Sequence, residues 1–436
     1  MIADQHRVVV TQEDSFKASV APLQSLCTGI FDCPHSTPVW TSLGKVVLRN
    51  FNIRNGRLDL SDISYTDERH YAERIRRAEP SHPDIVITRE APMGEVAMIP
   101  PNFQCCLGQR LVLLRPDTSK VDPRFLLFAL QSKDVQAEIM ESEGTGSTVS
   151  NLRIPNLANL RIPLPDRATQ QRIGVTLGAL DEKIELNRRT NETLEEMARA
   201  TFRAWFVDFL PVKGKVNGET SFPGMDQSVF KRLADGFENG SNDLCPIGWQ
   251  LQPISGAFYV NPERRIRPGT IATYLDMKNM PTAGSSAIDW VDREFTGSGM
   301  RFSNGDTLVA RITPCLENGK TAFVDFLNDG EVAWGSTEYV VLRPKPPFPL
   351  ETAYLLARED TFREFAVRHM SGTSGRQRFP AAALGGYFIA VPPPEVAAAF
   401  EDRIRPMFGA IKNNSRENRV LSATRDLLLR HLFANS

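Results

Sequence analysis

Two stretches of the chain alternate short apolar runs with Gly and Pro, and each leads into a long segment whose apolar residues recur at helical spacing. In the first, Ile85-Val86-Ile87 and Leu111-Val112-Leu113-Leu114 predict strands, and Phe125, Leu126, Ala129 and Leu130 predict a helix within 123–140. The second, 245–392, repeats the order, with strands near 307–309 and 339–342 and a helix near 353–367. Each stretch ends in a proline-marked entrance, Ile162-Pro163-Leu164-Pro165 or Val391-Pro392-Pro393-Pro394. Proline is tolerated at a helix start because its missing N–H would have had no partner there, so a long helix is expected to follow.

The first long segment keeps heptad spacing through Ile173, Leu177, Leu180, Ile184, Asn187, Asn191, Leu194, Ala198, Thr201 and Trp205. That seam is roughly 50 Å long at about 1.5 Å per residue. The second, through Ile404, Phe408, Ile411, Ser415 and Asn418, holds the same register and then shifts toward Leu421 and Leu428. Asn187 and Asn418 take corresponding seam positions, where a polar residue costs stability and fixes register, so the two helices are expected to pair with each other. By contrast the charged triplet Asp181-Glu182-Lys183 is expected to face water. The segment 211–243, rich in Gly, Asn, Asp, Glu and Lys, reads as a solvent-exposed connector.

The two stretches are copies. Asp84-Ile85-Val86-Ile87-Thr88-Arg89 and Pro92 return as Asp306-Thr307-Leu308-Val309-Ala310-Arg311 and Pro314; Leu114-Arg115-Pro116 returns as Leu342-Arg343-Pro344, and Gly144-Thr145 as Gly372-Thr373. So long a period indicates duplicated domains, not a solenoid. The chain divides accordingly into a first mixed domain at 1–160, a long helix at 161–210, a connector at 211–244, a second mixed domain at 245–392 and a C-terminal helix at 393–436. The fold class is mixed α/β (α+β), with pseudo-two-fold character.

With 436 residues, 41% hydrophobic and 24% charged, the composition is that of a globular protein of two or more domains. Neither a membrane-length apolar run nor a signal-peptide pattern is present, so the cytoplasm is the expected compartment. The six cysteines form no C-x-x-C pair and read as reduced thiols. Cys27, Cys33 and His35 lack a plausible fourth metal ligand. A formal net charge of −1 means the chain does not bind nucleic acid by bulk charge alone. Catalytic signatures are incomplete: Asn318-Gly319-Lys320-Thr321 ends like a phosphate loop, but its first glycine would fall on Pro314, and Gly-x-Gly at 144–146 and 297–299 completes no dinucleotide fingerprint.

Longer matches carry more. Ile162-Pro163-Leu164-Pro165 with Gln170-Gln171-Arg172-Ile173, then Leu180-Asp181-Glu182-Lys183-Ile184-Glu185-Leu186-Asn187 and Trp205-Phe206-Val207-Asp208-Phe209, resemble the central conserved region of type I restriction-modification specificity subunits. Cys33-Pro34-His35-Ser36-Thr37-Pro38, Thr88-Arg89-Glu90-Ala91-Pro92-Met93-Gly94-Glu95 and Gly108-Gln109-Arg110 resemble their target-recognition domains, as does the second copy through 310–320 and 372–378. The resemblance implies a non-catalytic subunit: two tandem target-recognition domains, joined by two long conserved helices paired as an antiparallel coiled coil, read a bipartite, asymmetric target in double-stranded DNA. It further implies two methyltransferase subunits that methylate adenine N6, restriction/translocase subunits that cut unmodified DNA, and no membrane association. S-adenosylmethionine, ATP and magnesium would belong to those partners, with no cofactor and no metal in this chain.

For such a protein, half-sites about one helical turn apart suit two reading heads. Exposed Arg, Lys, Asn, Gln and small hydroxyl residues on loops are the natural DNA contacts: Thr145, Ser147, Ser150 and Asn151 in the first copy, and Lys278, Thr373, Arg376, Gln377 and Arg378 in the second. Arg89 and Arg311, at the same place after a strand in both copies, read as structural or as a shared phosphate contact. The competing interpretation is a duplicated protein-binding scaffold, which salt-dependent DNA affinity would separate from a DNA reader.

Overall fold

The structure is a computed structural model describing residues 19–141, 151–239, 244–373 and 375–433. Its contacts divide the chain into two units, one formed by Met1–Ile184 with Arg419–Ser436 and one by Glu185–Asn418. Among the described residues, no helix is long and apolar enough to cross a membrane.

The first unit contains β1 (Cys27–Asp32), β2 (Lys45–Leu48), β3 (Ser64–Thr66), β4 (Ile85–Thr88), β5 (Val96–Met98), β6 (Cys105–Leu107) and β7 (Leu111–Pro116). One antiparallel sheet has the order β1-β7-β4-β5, and a smaller sheet the order β3-β2-β6, with β2 and β6 parallel. Strands β4 and β7 pair with Leu111 opposite Thr88 and Leu114 opposite Ile85. Alternate residues serve different cores: Ile85, Ile87, Val112 and Leu114 pack with the helices, whereas Val86, Leu111 and Leu113 pack toward the smaller sheet. Both faces are covered, which explains an apolar run without alternation.

The second unit repeats the plan with β8 (Phe258–Val260), β9 (Ile271–Leu275), β10 (Val291–Glu294), β11 (Met300–Phe302), β12 (Thr307–Ala310), β13 (Thr321–Phe323), β14 (Ala333–Gly335) and β15 (Tyr339–Pro344). Its sheets have the orders β8-β15-β12-β13 and β10-β9-β14-β11, with β9 and β14 parallel. Val309, Val340 and Leu342 face one core while Leu308, Tyr339 and Val341 face the other. In both copies the single helix expected after the sheet is two: Pro123–Ala129 with Lys133–Glu141, and Thr352–Ala357 with Asp360–Arg368.

The duplicated Asp and Arg prove to be partners. Arg115 donates from Nε (2.9 Å) and Nη2 (2.7 Å) to the buried Asp84 carboxylate, and Arg343 (2.9 Å) with Arg264 (2.6 Å) donates to Asp306. Burial raises the Asp306 carboxyl above its usual range, and the two guanidiniums oppose that shift.

The first long helix runs Arg167–Phe202 and widens into a π turn at Arg203–Val207; the second runs Pro394–Phe433 and carries Pro406 on an exposed face. In the first unit Ile173 and Leu177 are buried in a cluster with Leu126 and Phe433, and the rings of Phe125 and Phe433 stack at 5.7 Å. The Asp181 triplet does not simply face water: Asp181 pairs with Arg425 at 2.8 Å and Glu182 with Arg124 at 2.9 Å, because the helix is covered on more than its apolar seam.

In the second unit the helices contact through polar groups. Asn187 Nδ2 donates to Asn418 Oδ1 (2.9 Å) and Glu417 Oε2 (2.7 Å); Asn191 bonds Asn414 (2.9 Å) and Ser415 (3.3 Å), and Phe202 meets Phe400 with ring centroids 6.2 Å apart. Numbers rise on one helix as they fall on the other, so these segments are antiparallel. Ile404 and Ile411 are buried, whereas Leu194 and Asn418 are half-buried; in the first unit Ile184 is buried and Leu180 half-buried. Phe408 also packs on its own domain, edge-on to Phe323 (5.5 Å) and Tyr354 (5.9 Å). Buried Glu195 accepts from the Tyr354 hydroxyl, which accepts from Arg358 Nε at 2.9 Å, and Arg203 pairs with Glu359 at 2.8 Å. The segment expected as an exposed connector contributes Met225, Phe230 and Leu233 to this core.

Arg343→Met is expected to cost the second unit about 3 kcal/mol, since it strips a partner from a buried carboxylate. In the Arg343→Met background, Asp306→Asn should recover part of that loss, with urea unfolding of the four proteins as the measurement.

Candidate nucleic-acid interface

In each unit the segments leaving one end of the sheet are tied together. Arg89, just after β4, donates its backbone N–H to Arg110 O (2.8 Å) and accepts from Leu152 N–H (3.0 Å). Its guanidinium reaches Leu152 O (3.1 Å) and Asp32 (2.7 Å). Around it Asn50 Nδ2 donates to Ala91 O (2.6 Å), Gln109 Nε2 to His35 O (2.7 Å) and Thr37 Oγ1 (2.9 Å), and Arg110 pairs with Glu90 at 3.3 Å. Gly108 lets β2 approach closely, for a Cβ there would lie 2.8 Å from Leu48 O.

The second unit makes the same knot with other side chains. Arg311 donates its backbone N–H to Glu338 O (3.0 Å) and accepts from Phe379 N–H (2.7 Å). Thr313 N–H donates to Gln377 O (3.1 Å), and Lys320 Nζ to Met277 O (2.8 Å). The repeated arginines thus hold the returning loop by their backbones. Arg89 is buried and its charge is already met by Asp32. A buried, satisfied guanidinium has little left to offer a ligand.

Lys278, Thr373, Arg376, Gln377 and Arg378 all fall on this second rim. Lys278, Thr373 and Arg376 are exposed, and Gln377 spends its carbonyl on Thr313. Arg378 is different: its Nε and Nη2 both lie 2.8 Å from Glu338 Oε1, so a new contact must compete with an existing ion pair. On the first rim, Asn151 stands beside the Arg89–Leu152 bonds with its Oδ1 buried and without a hydrogen-bond partner. Thr145, Ser147 and Ser150 lie outside the described residues. Residue-type reasoning passed over Arg49, Gln109 and Lys320, whose placement depends on contacts between distant segments; the Gly108-Gln109-Arg110 motif was the available signal.

Among the described residues no three His, Cys, Asp or Glu side chains gather as metal ligands. The six cysteines are free, and burial pushes the thiols of Cys27 and Cys105 up to about 12 and Cys106 to about 11, which keeps them protonated and unreactive near neutral pH.

A family model described as the type I restriction modification DNA specificity domain matches residues 53–196. The HindI specificity subunit of Haemophilus influenzae is 33% identical over 123 residues, 28% of this chain and 27% of that protein's length. The MjaIX specificity subunit of Methanocaldococcus jannaschii is 24% identical over 357 residues, 79% of this chain and 75% of that one. In fold, the chain is similar to the crystal structure of a type I restriction-modification S subunit from M. genitalium, with a TM-score of 0.54 at 16% identity over 97% of this chain and 98% of that one.

Proposed function

We propose that this chain, which is similar to type I restriction-modification specificity subunits, acts as the non-catalytic reader of a bipartite, asymmetric site in double-stranded DNA. The observation that carries the reading is the pair of rims, built from the same loops in both units yet bearing different side chains. One architecture with two chemistries suits two unlike half-sites separated by bases that neither rim reads. The exposed Lys278 and Arg376 fit contacts to phosphates or base edges.

In this reading the long helices dock two methyltransferase subunits, which carry S-adenosylmethionine and methylate adenine N6 at the site the rims select. Restriction/translocase subunits with ATP and magnesium join the same assembly in the cytoplasm. The net charge of −1 fits this division of labour, with the partners supplying much of the phosphate neutralisation. The family match gives no support to a scaffold that binds protein alone.

Binding of the assembled complex to its own target should fall steeply with salt, log K declining by about 0.9 per neutralised phosphate for each unit of log salt concentration. A salt-independent affinity, or an unchanged map of methylated adenines in cells lacking this chain, would refute the reading. Arg376→Ala should weaken target binding by about 1–3 kcal/mol if the contact is to a base. Arg378→Ala should have a smaller effect, because that guanidinium must first leave Glu338; anisotropy titrations at fixed salt compare the two.

A further inference from the structure

On the first rim one arginine is held by its faces instead of its edges. Arg49, the residue after β2, places its guanidinium carbon 4.6 Å from the Phe51 ring centroid and 5.1 Å from that of Trp40. Among the described residues the polar contact of its side chain is a long 3.5 Å approach of Nη1 to Ser64 Oγ. Arg89 and Arg110 on the same rim have carboxylate partners, whereas Arg49 forms no ion pair among the described residues. Aromatic rings restrict a guanidinium through its π faces and leave the coplanar N–H groups at its edge available.

The surroundings point outward. Trp40 is 45% exposed, Val39 50% and Leu43 80%, an apolar surface on the loop between β1 and β2. The patch is continuous with the rim, since the next residue, Asn50, bonds Ala91 O at 2.6 Å. At the matching place in the second unit, directly after β9, stands Asp276, which is engaged in capping Lys278 N–H at 3.0 Å. The same structural position therefore carries opposite charge in the two copies.

We propose that Arg49, braced by Trp40 and Phe51, reads a guanine edge in the major groove of the half-site facing the first unit, and that this position distinguishes the two half-sites. The inference rests on the DNA-reading function proposed above. A guanidinium with a free edge matches the O6 and N7 acceptors of guanine, while a short carboxylate at Asp276 repels them. Trp40 and Leu43 contribute apolar contact with the groove wall or a thymine methyl group.

The test is selection of bound duplexes from a randomised library by the full complex with its methyltransferase partners, for the wild type and for Arg49→Ala, Arg49→Lys and Arg49→Gln. Arg49→Ala should lose about 10- to 100-fold of its guanine preference at one position of one half-site and leave the other half-site unchanged. Lysine should not restore the preference, and glutamine should move it toward adenine, whose N6 and N7 a side-chain amide can bind. An unchanged preference overturns the assignment, as does a uniform loss rescued by lysine, which marks a phosphate contact. Loss of complex assembly also overturns it, because the patch would then be a protein-docking surface. A wild-type complex with no sequence preference would instead remove the DNA-reading function itself. Thermal melts separate altered recognition from unfolding, and the adenine shift in Arg49→Gln cannot come from a misfolded chain.

Discussion

Two central strands with no face in water anchor the rim in each unit. Because β4 and β7, like β12 and β15, are covered on both sides, neither pair can slip by one residue without exchanging its two cores, which are lined by different side chains. The cross-strand pairs of Asp84 with Arg115 and Asp306 with Arg343 reinforce this, since any other register would strand a buried carboxylate. The loops beyond those strands are then held at fixed points, and their side chains can vary without disturbing the frame. Loops anchored on a rigid scaffold are where binding specificity is most cheaply changed.

How far the sequence revealed this depended on whether a signal was local. The apolar runs at 85–87 and 111–114 marked strands directly, and the internal repeat announced a second copy with the same strand order. The repeated Asp and Arg were visible as letters, but their partnership was not, for it needs the antiparallel register that brings 84 beside 115. The break within the first helical pair was obscured because Leu130 continues the apolar spacing across it. The segment 211–243 misled by composition: its polar residues hid Met225, Phe230 and Leu233, which are spread along it yet buried in one core. The rim was least legible, since Arg49 and Trp40 meet across a loop and no periodicity joins them.

The helices show a similar mixture. A heptad pattern identifies a stripe but not what covers it, and Phe408 lies against the second mixed domain as well as along the seam. Asn187 and Asn191 make the contacts between helices in the second unit polar where a pure coiled coil would be apolar. Side-chain amides that satisfy one another across an interface tolerate few alternative alignments, which favours a single register over maximal stability.

The joint at Glu195 bears on how such a molecule could change over generations. Its carboxylate belongs to the long helix, while the phenol of Tyr354 and the guanidinium of Arg358 belong to the second mixed domain. Importing a foreign domain by recombination would leave that carboxylate desolvated unless the newcomer brought an equivalent phenol and cation. Viable exchanges should therefore carry the matching stretch of helix with the cassette, or retain Tyr354 and Arg358 while renewing only the loops, so inheritance of new targets is channelled through a few permitted seams.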